Sequence, residues 1–102
     1  MQSHRILSAH AAEKMVDLND LRIFAYVATM SSFSSAADAL RIHKSSVSRS
    51  VARLENLLDA PLLQRTTRKV HLTQRGLALK DSCLEMLSHV NASVGSDRNA
   101  SR

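Results

Sequence analysis

Lys44-Ser-Ser-Val-Ser-Arg-Ser-Val-Ala-Arg-Leu-Glu-Asn-Leu-Leu58 decides how this chain is read. At about 100° per residue, Val47, Val51, Leu54 and Leu58 fall on one narrow stripe, spaced i, i+4, i+7, i+11. That stripe requires a core to pack against. The opposite side carries Ser45, Arg49, Ala52 and Asn56 along its centre, with Arg53 at its flank and Lys44, Ser46 and Ser48 near the start. The wet face of a surface helix usually mixes both signs of charge. The N-terminal half of this one has no acid, only slim side chains and hydrogen-bond donors, which suits insertion into a DNA major groove. An ordinary surface helix with two arginines would show the same pattern, so the surrounding chain has to decide.

Working outward, the second-nearest signals are turns and short helices. Asn19 is expected to cap a first helix, with Asp20 placed against its positive end and Leu21, Phe24, Val27 and Ala28 on its buried face. That helix should end near Met30, at Ser31-Ser32. Ser34 is expected to cap a second helix from Ser35 to about Arg41, with Phe33 as an apolar anchor ahead of it. Ala36, Ala37, Ala39 and Leu40 make this helix small-sided, so that a neighbour can cross it closely. Arg41-Ile42-His43 is a short turn into the quoted stretch, and together these segments read as a helix-turn-helix. Pro61 stops the third helix after Asp59-Ala60. Leu62–Thr66 and Val70–Thr73 then read as two short strands joined by a basic tip, a wing. Thr73 caps a fourth helix, Gln74 to about Val94. It carries two apolar rows, Leu77, Leu84, Leu87, Val94 and Leu79, Cys83, Met86, Val90. A lone amphipathic helix needs one row. Two rows imply that one face covers the domain and the other meets a second chain, so Leu77, Leu84, Leu87 and Val94 are the expected dimerisation residues.

Composition agrees with a small helical domain. Of 102 residues, 44% are apolar and only 3% aromatic, so the core must be aliphatic. Two glycines and one proline leave little room for a sheet with many tight turns. The expected class is mainly α: a winged helix-turn-helix with a three-helix core, a two-stranded wing and a long C-terminal linker helix. Its divisions are a loose extension over residues 1–16, the DNA-binding domain over 17–75, the linker and dimerisation helix over 76–94, and a flexible tail over 95–102. Met1 and Met15 are both possible starts.

The net charge is +5, which points to an anionic partner. Residues 41–75 hold eight Lys or Arg against two acids, a net of +6, while the rest of the chain nets −1. The excess therefore lies on one third of the sequence. A single cysteine, Cys83, excludes an internal disulfide and falls in an apolar helical pattern as a buried thiol. No apolar run reaches the roughly 18 residues of a membrane span, and no secretory signal opens the chain, so a cytoplasmic protein is expected. His4, His10, His43, His71 and His89 lie on separate elements without metal spacing. No catalytic triad or glycine-rich phosphate loop is visible. Neither cofactor, metal nor enzymatic activity is expected.

Asp17-Leu-Asn-Asp-Leu-Arg-Ile-Phe24, Ser32-Phe-Ser-Ser-Ala-Ala37, Val47-Ser-Arg49, Leu54-Glu55 and Pro61-Leu-Leu-Gln-Arg-Thr-Thr-Arg-Lys-Val-His-Leu-Thr73, followed by Gly76, form an ordered set. Over residues 17–92 this set resembles the N-terminal DNA-binding domain of LysR-type transcriptional regulators. The resemblance implies that the third helix reads bases, that the wing touches the backbone or minor groove, and that the fourth helix pairs two subunits. Members of that family normally continue into an effector-binding domain, so a small-molecule effector is expected only if such a domain follows. Four positions depart from the pattern: Ser31 and Asp59 replace common glycines, Lys44 a common glutamine and Leu63 a common phenylalanine. At Asp59, which ends the third helix, a strained or different cap geometry is expected, aspartate tolerating the left-handed region better than most residues.

The expected DNA-binding residues follow. Arg49 is the first choice for a base, through bidentate bonds to guanine. Lys44, Ser45, Ser46 and Ser48 lie at the entering end, though the serines would equally serve to cap or solvate the first turn. Arg53 is expected at a phosphate. Ser34 and Ser35 open the second helix, where free amides hold phosphate. Arg65, Arg68 and Lys69 belong to the wing, whose tip suits a narrow minor groove. The expected target is duplex DNA with an interrupted inverted repeat, bound by a homodimer. The alternatives are a winged-helix protein-interaction module with an incidental basic face and, with few aromatic platforms in its favour, an RNA binder.

Overall fold

The computed structural model describes residues 15–65 and 69–100, with side chains as far as Val94. The N-terminal extension through Lys14, the wing tip Thr66-Thr67-Arg68 and the last two residues lie outside the described residues. The order is α1 (Leu18–Met30), α2 (Phe33–Leu40), α3 (Lys44–Leu58), β1 (Leu63–Arg65), β2 (Val70–Leu72) and α4 (Gln74–Ala100).

Local chemistry sets the helix ends, and two caps differ from expectation. Asp17, not Asn19, caps α1: its side chain accepts a hydrogen bond from the Asn19 amide at 2.8 Å. Ser32, not Ser34, caps α2, accepting from the Ser35 amide at 3.0 Å. In each case the capping side chain sits two or three residues before the amide it satisfies, so the helix starts earlier than the most prominent polar residue suggests. Phe33 is consequently the first helical residue of α2. His43 precedes α3 without a side-chain cap. At their C-terminal ends the first three helices stop on left-handed residues that are not glycine: Ser31 (φ 54°), Arg41 (φ 58°) and Asp59 (φ 52°). Each lets its own amide bond back to the helix, Ser31 to the Val27 carbonyl and Asp59 to those of Asn56 and Glu55.

Phe24, Val27, Ala36, Val47, Val51 and Leu54 form the centre of a three-helix core, closed below by Leu62. Val47, Val51 and Leu54 are fully buried and Leu58 half-buried, as the stripe on α3 requires. β1 and β2 pair antiparallel with Leu63 opposite Leu72, Gln64 opposite His71 and Arg65 opposite Val70. The loop before the wing is tied down twice. Glu55 turns inward from α3, and its carboxylate accepts from the amides of Leu62 at 2.8 Å and Leu63 at 3.3 Å. Thr73 donates its hydroxyl to the Pro61 carbonyl at 2.7 Å and accepts from the Gly76 amide at 3.0 Å, capping α4. Gly76 passes so close to the Leu62 carbonyl that a β-carbon there would collide with its oxygen.

α4 runs to Ala100, past the end expected at Val94 and through Gly95. At about 1.5 Å per residue, its 27 residues outrun the three-helix body. Only Leu79 and Cys83 of the inner row reach the core; Met86 and Val90 are exposed, so that row is covered over its first half alone. No helix among the described residues is long and apolar enough to cross a membrane.

Candidate nucleic-acid interface

The outward side of α3 presents Lys44, Ser45, Arg49 and Ala52 to solvent, with Ser46 and Ser48 half-buried beside them. Arg49 reaches back to the Ser46 hydroxyl at 3.4 Å, a long contact that leaves most of the guanidinium donors available. From Lys44 to Leu54 the helix has no acid, and the next one, Glu55, is occupied by the loop amides on the other side. The exposed face is therefore one of donors.

Arg53 has a partner that the sequence reading missed. Its guanidinium grips Asp20 of α1 bidentately, Nη2 at 2.8 Å and Nε at 3.0 Å, and Nη2 also donates to the Ser50 hydroxyl at 3.1 Å. Arg53, expected at a phosphate, thus also ties α3 to α1, while its side chain stays 59% exposed. Asp20 lies in the first turn of α1, as expected, and is buried there. The hydrogen bonds from Arg53 hold its carboxyl below the ordinary carboxylate value, against the opposing effect of burial and with help from Ser50. A signal for this was present. Asp20 precedes Phe24 by four residues and Val27 by seven, so it occupies the core stripe of α1, where an acid needs a partner.

Ser34 and Ser35 are exposed at the start of α2; the Ser35 amide is taken by Ser32, and the amides before it open the helix. Arg65 joins them from the wing, its guanidinium carbon 4.8 Å from the centre of the Phe33 ring. Lys69 is exposed just before β2, and Arg68 lies outside the described residues. The structure thus brings the α2 start and Arg65 together, and sets them beside the α3 face through the shared helix-turn-helix.

On the far side, Leu77, Leu84, Leu87 and Val94 of α4 are exposed, as are Met86 and Val90. Leu84 and Leu87 border a shallow apolar hollow with Ala25, Tyr26 and Met30 of α1. Leu87, Met86 and Val90 border a second one with Leu18, Leu21 and Ala25. Cys83 lies beneath, and burial pushes its thiol pKa up, which keeps it protonated and unreactive.

Three helices, a two-stranded hairpin and a long following helix, with a donor-rich face on the third helix, define a winged helix-turn-helix protein. Residues 18–77 match the family model described as bacterial regulatory helix-turn-helix protein, lysR family, and the chain belongs to that family. It is 42% identical over 82 residues to an HTH-type transcriptional regulator of Xanthomonas campestris pv. campestris (strain 8004), covering 78% of this chain and 24% of the relative. It is 39% identical over 84 residues to the HTH-type transcriptional regulator PtxR of Pseudomonas aeruginosa, covering 82% and 27%. The chain spans about a quarter of the length of these relatives. Among solved structures, the BenM_DBD/catB site 1 DNA complex superimposes with a TM-score of 0.73 at 33% identity, covering 83% of this chain and 96% of that one. The CbnR_DBD–DNA complex superimposes with a TM-score of 0.70 at 28% identity, covering 84% and 99%.

Proposed function

We propose that this chain is the DNA-reading part of a transcription regulator, binding duplex DNA sequence-specifically in the cytoplasm as a homodimer across an interrupted inverted repeat. The observation that carries this is the acid-free outer face of α3, Lys44, Ser45, Ser48, Arg49 and Ala52, backed by a buried stripe and set between the α2 start and the wing. Such a face fits a major groove, where the Arg49 fork matches guanine O6 and N7. Lys44 and the serines supply donors to base edges or phosphates at the entering end. Ser34, Ser35, Arg65, Arg68 and Lys69 are assigned to the flanking backbone. Similarity to two DNA-binding domains solved on DNA supports the reading. The exposed rows of α4 support the dimer, since a contiguous apolar surface of this kind marks an interface. A two-fold pair of chains would set two copies of α3 against successive groove faces.

The test is selection of tight-binding duplexes from a randomised pool, followed by anisotropy titration of wild type and Arg49→Ala over a salt series. Binding should weaken steeply with salt. Arg49→Ala should cost about 1–3 kcal/mol on the selected site and relax preference at one base pair per half-site. A uniform loss on every duplex would assign Arg49 to phosphate. Failure to bind any duplex in a salt-dependent way would leave a protein-interaction module.

A further inference from the structure

We propose that Phe33 is a positioning residue for DNA binding: its ring holds the Arg65 guanidinium over its face at the edge of the domain, ready to meet a phosphate of the duplex. This rests on the DNA-binding reading above and adds a residue to it. Phe33 opens α2 and Arg65 ends β1, so the two meet only through the fold, with the guanidinium carbon 4.8 Å from the ring centre. The alternation of a strand explains why they meet. Side chains two apart share a face, so Arg65 lies on the same side of the hairpin as buried Leu63, in the last pair before the tip. On that side Arg65 lies beside its cross-strand partner Val70 and over the Phe33 ring. Phe33 is half-buried and packed against the core, and so provides a fixed floor.

The geometry leaves the arginine usable. The ring contact engages the π face of Phe33 and takes up none of the five N–H donors of the guanidinium as a hydrogen-bond acceptor would. Among the described residues none of these donors meets an acceptor, and Arg65 is exposed. An unstacked arginine would lose much rotamer freedom on gripping a phosphate; one already held on a ring loses less. A solvated arginine has no such need of a ring, and neither does an aliphatic core: the floor matters only if the head group must be held still.

The experiment uses Phe33→Leu, which keeps apolar bulk without a π face, Phe33→Tyr, which keeps the face, Arg65→Ala, and the Phe33→Leu/Arg65→Ala double variant. Affinity for a mixed-sequence duplex long enough for two half-sites is measured by anisotropy over a salt series, with thermal melting of each free protein alongside. Phe33→Leu should weaken binding on the order of three- to tenfold, and Phe33→Tyr should bind as wild type. Arg65→Ala should reduce the magnitude of the log K against log salt slope by about one. In the Arg65→Ala background, Phe33→Leu should have no further effect on binding. An equal effect in both backgrounds would reduce Phe33 to a folding residue, and no effect in either would overturn the proposal while DNA binding stands. Wild type that binds the duplex without salt dependence would sink the DNA-binding reading itself and this inference with it.

Discussion

Replacing Asp20 by asparagine isolates the strap between α1 and α3. Asparagine has nearly the same shape, but it presents one acceptor where the carboxylate presents two, and its amide sets a donor against an Arg53 donor. The native bonds are 2.8 and 3.0 Å to Arg53, a charge-assisted pair. Asp20 keeps only 4% of its side-chain surface exposed, whereas Arg53 keeps 59%. The water around Arg53 rules out the large penalties seen when a fully buried ion pair is broken. What remains is the loss of one charged hydrogen bond and a poorly matched amide, about 2 kcal/mol. For a domain of this size that lowers Tm by roughly 8–16 °C. The pH dependence has a definite sign. The carboxyl is held below its ordinary value of 3.8 in the folded chain, so its contribution is fully present above that value. It is lost as pH falls through the lower folded value. Urea unfolding of wild type and Asp20→Asn should therefore show the full difference at neutral pH and a shrinking one in the acid range below about pH 4. A difference that stays constant into acid would mean that the charge on Asp20 is irrelevant and that shape alone matters.

Two further outcomes follow from named positions. Asp59 adopts φ 52° at the end of α3, a region costly to residues with a β-carbon, so Asp59→Gly should raise stability by about 0.5–1 kcal/mol in thermal melting; a lower Tm would mean that the aspartate side chain supports the cap. Leu84→Lys with Leu87→Lys places charge in the exposed rows of α4, and sedimentation should show a helical monomer with most affinity for a two-half-site duplex gone, whereas unchanged affinity would reduce α4 to a domain cover.

Much of this architecture was legible because periodicity and punctuation agree. The α3 stripe of Val47, Val51 and Leu54, the stop at Pro61 and the alternation around Val70 and Leu72 each have one dominant reading, and the structure follows them. The starts of α1 and α2 were less legible, whereas α3 and α4 begin at Lys44 and Gln74 as expected. Asp17, Asn19 and Asp20 are all competent caps, and which one serves α1 depends on which side chain is pulled into the core. Asp20 is, since it shares a stripe with Phe24, and Asp17 is left at the boundary. Arg53 illustrates the same limit at the interface. Its position on the flank of α3 is compatible with a phosphate and with a neighbouring helix, and only the crossing of α1 over α3 brings Asp20 within its reach. The stacking of Arg65 on Phe33 was hidden for a similar reason, because the pair is joined by tertiary folding and by no local period.

These long-range contacts explain why the outer face of α3 is so free of negative charge. Of the acids close to this helix, Asp59 caps its C-terminal end and Asp17 lies at the start of α1, while Glu55 on it and Asp20 against it are held by hydrogen bonds. Glu55 faces the loop, where it anchors the amides that begin the wing, and Asp20 sits beneath Arg53. These two carboxylates are matched to donors on the inner side, so neither contributes repulsion where phosphates would approach. The same bonds fix the angle between α3 and its neighbours on both sides, α1 through Arg53 and the wing through Glu55. If α3 reads bases as proposed, such anchoring would keep its side chains in register with the wing, since a shift of α3 relative to the wing would break the Glu55 anchor before it changed the exposed face. Orientation of α3 and removal of negative charge from its outer face are thus achieved by the same two carboxylates.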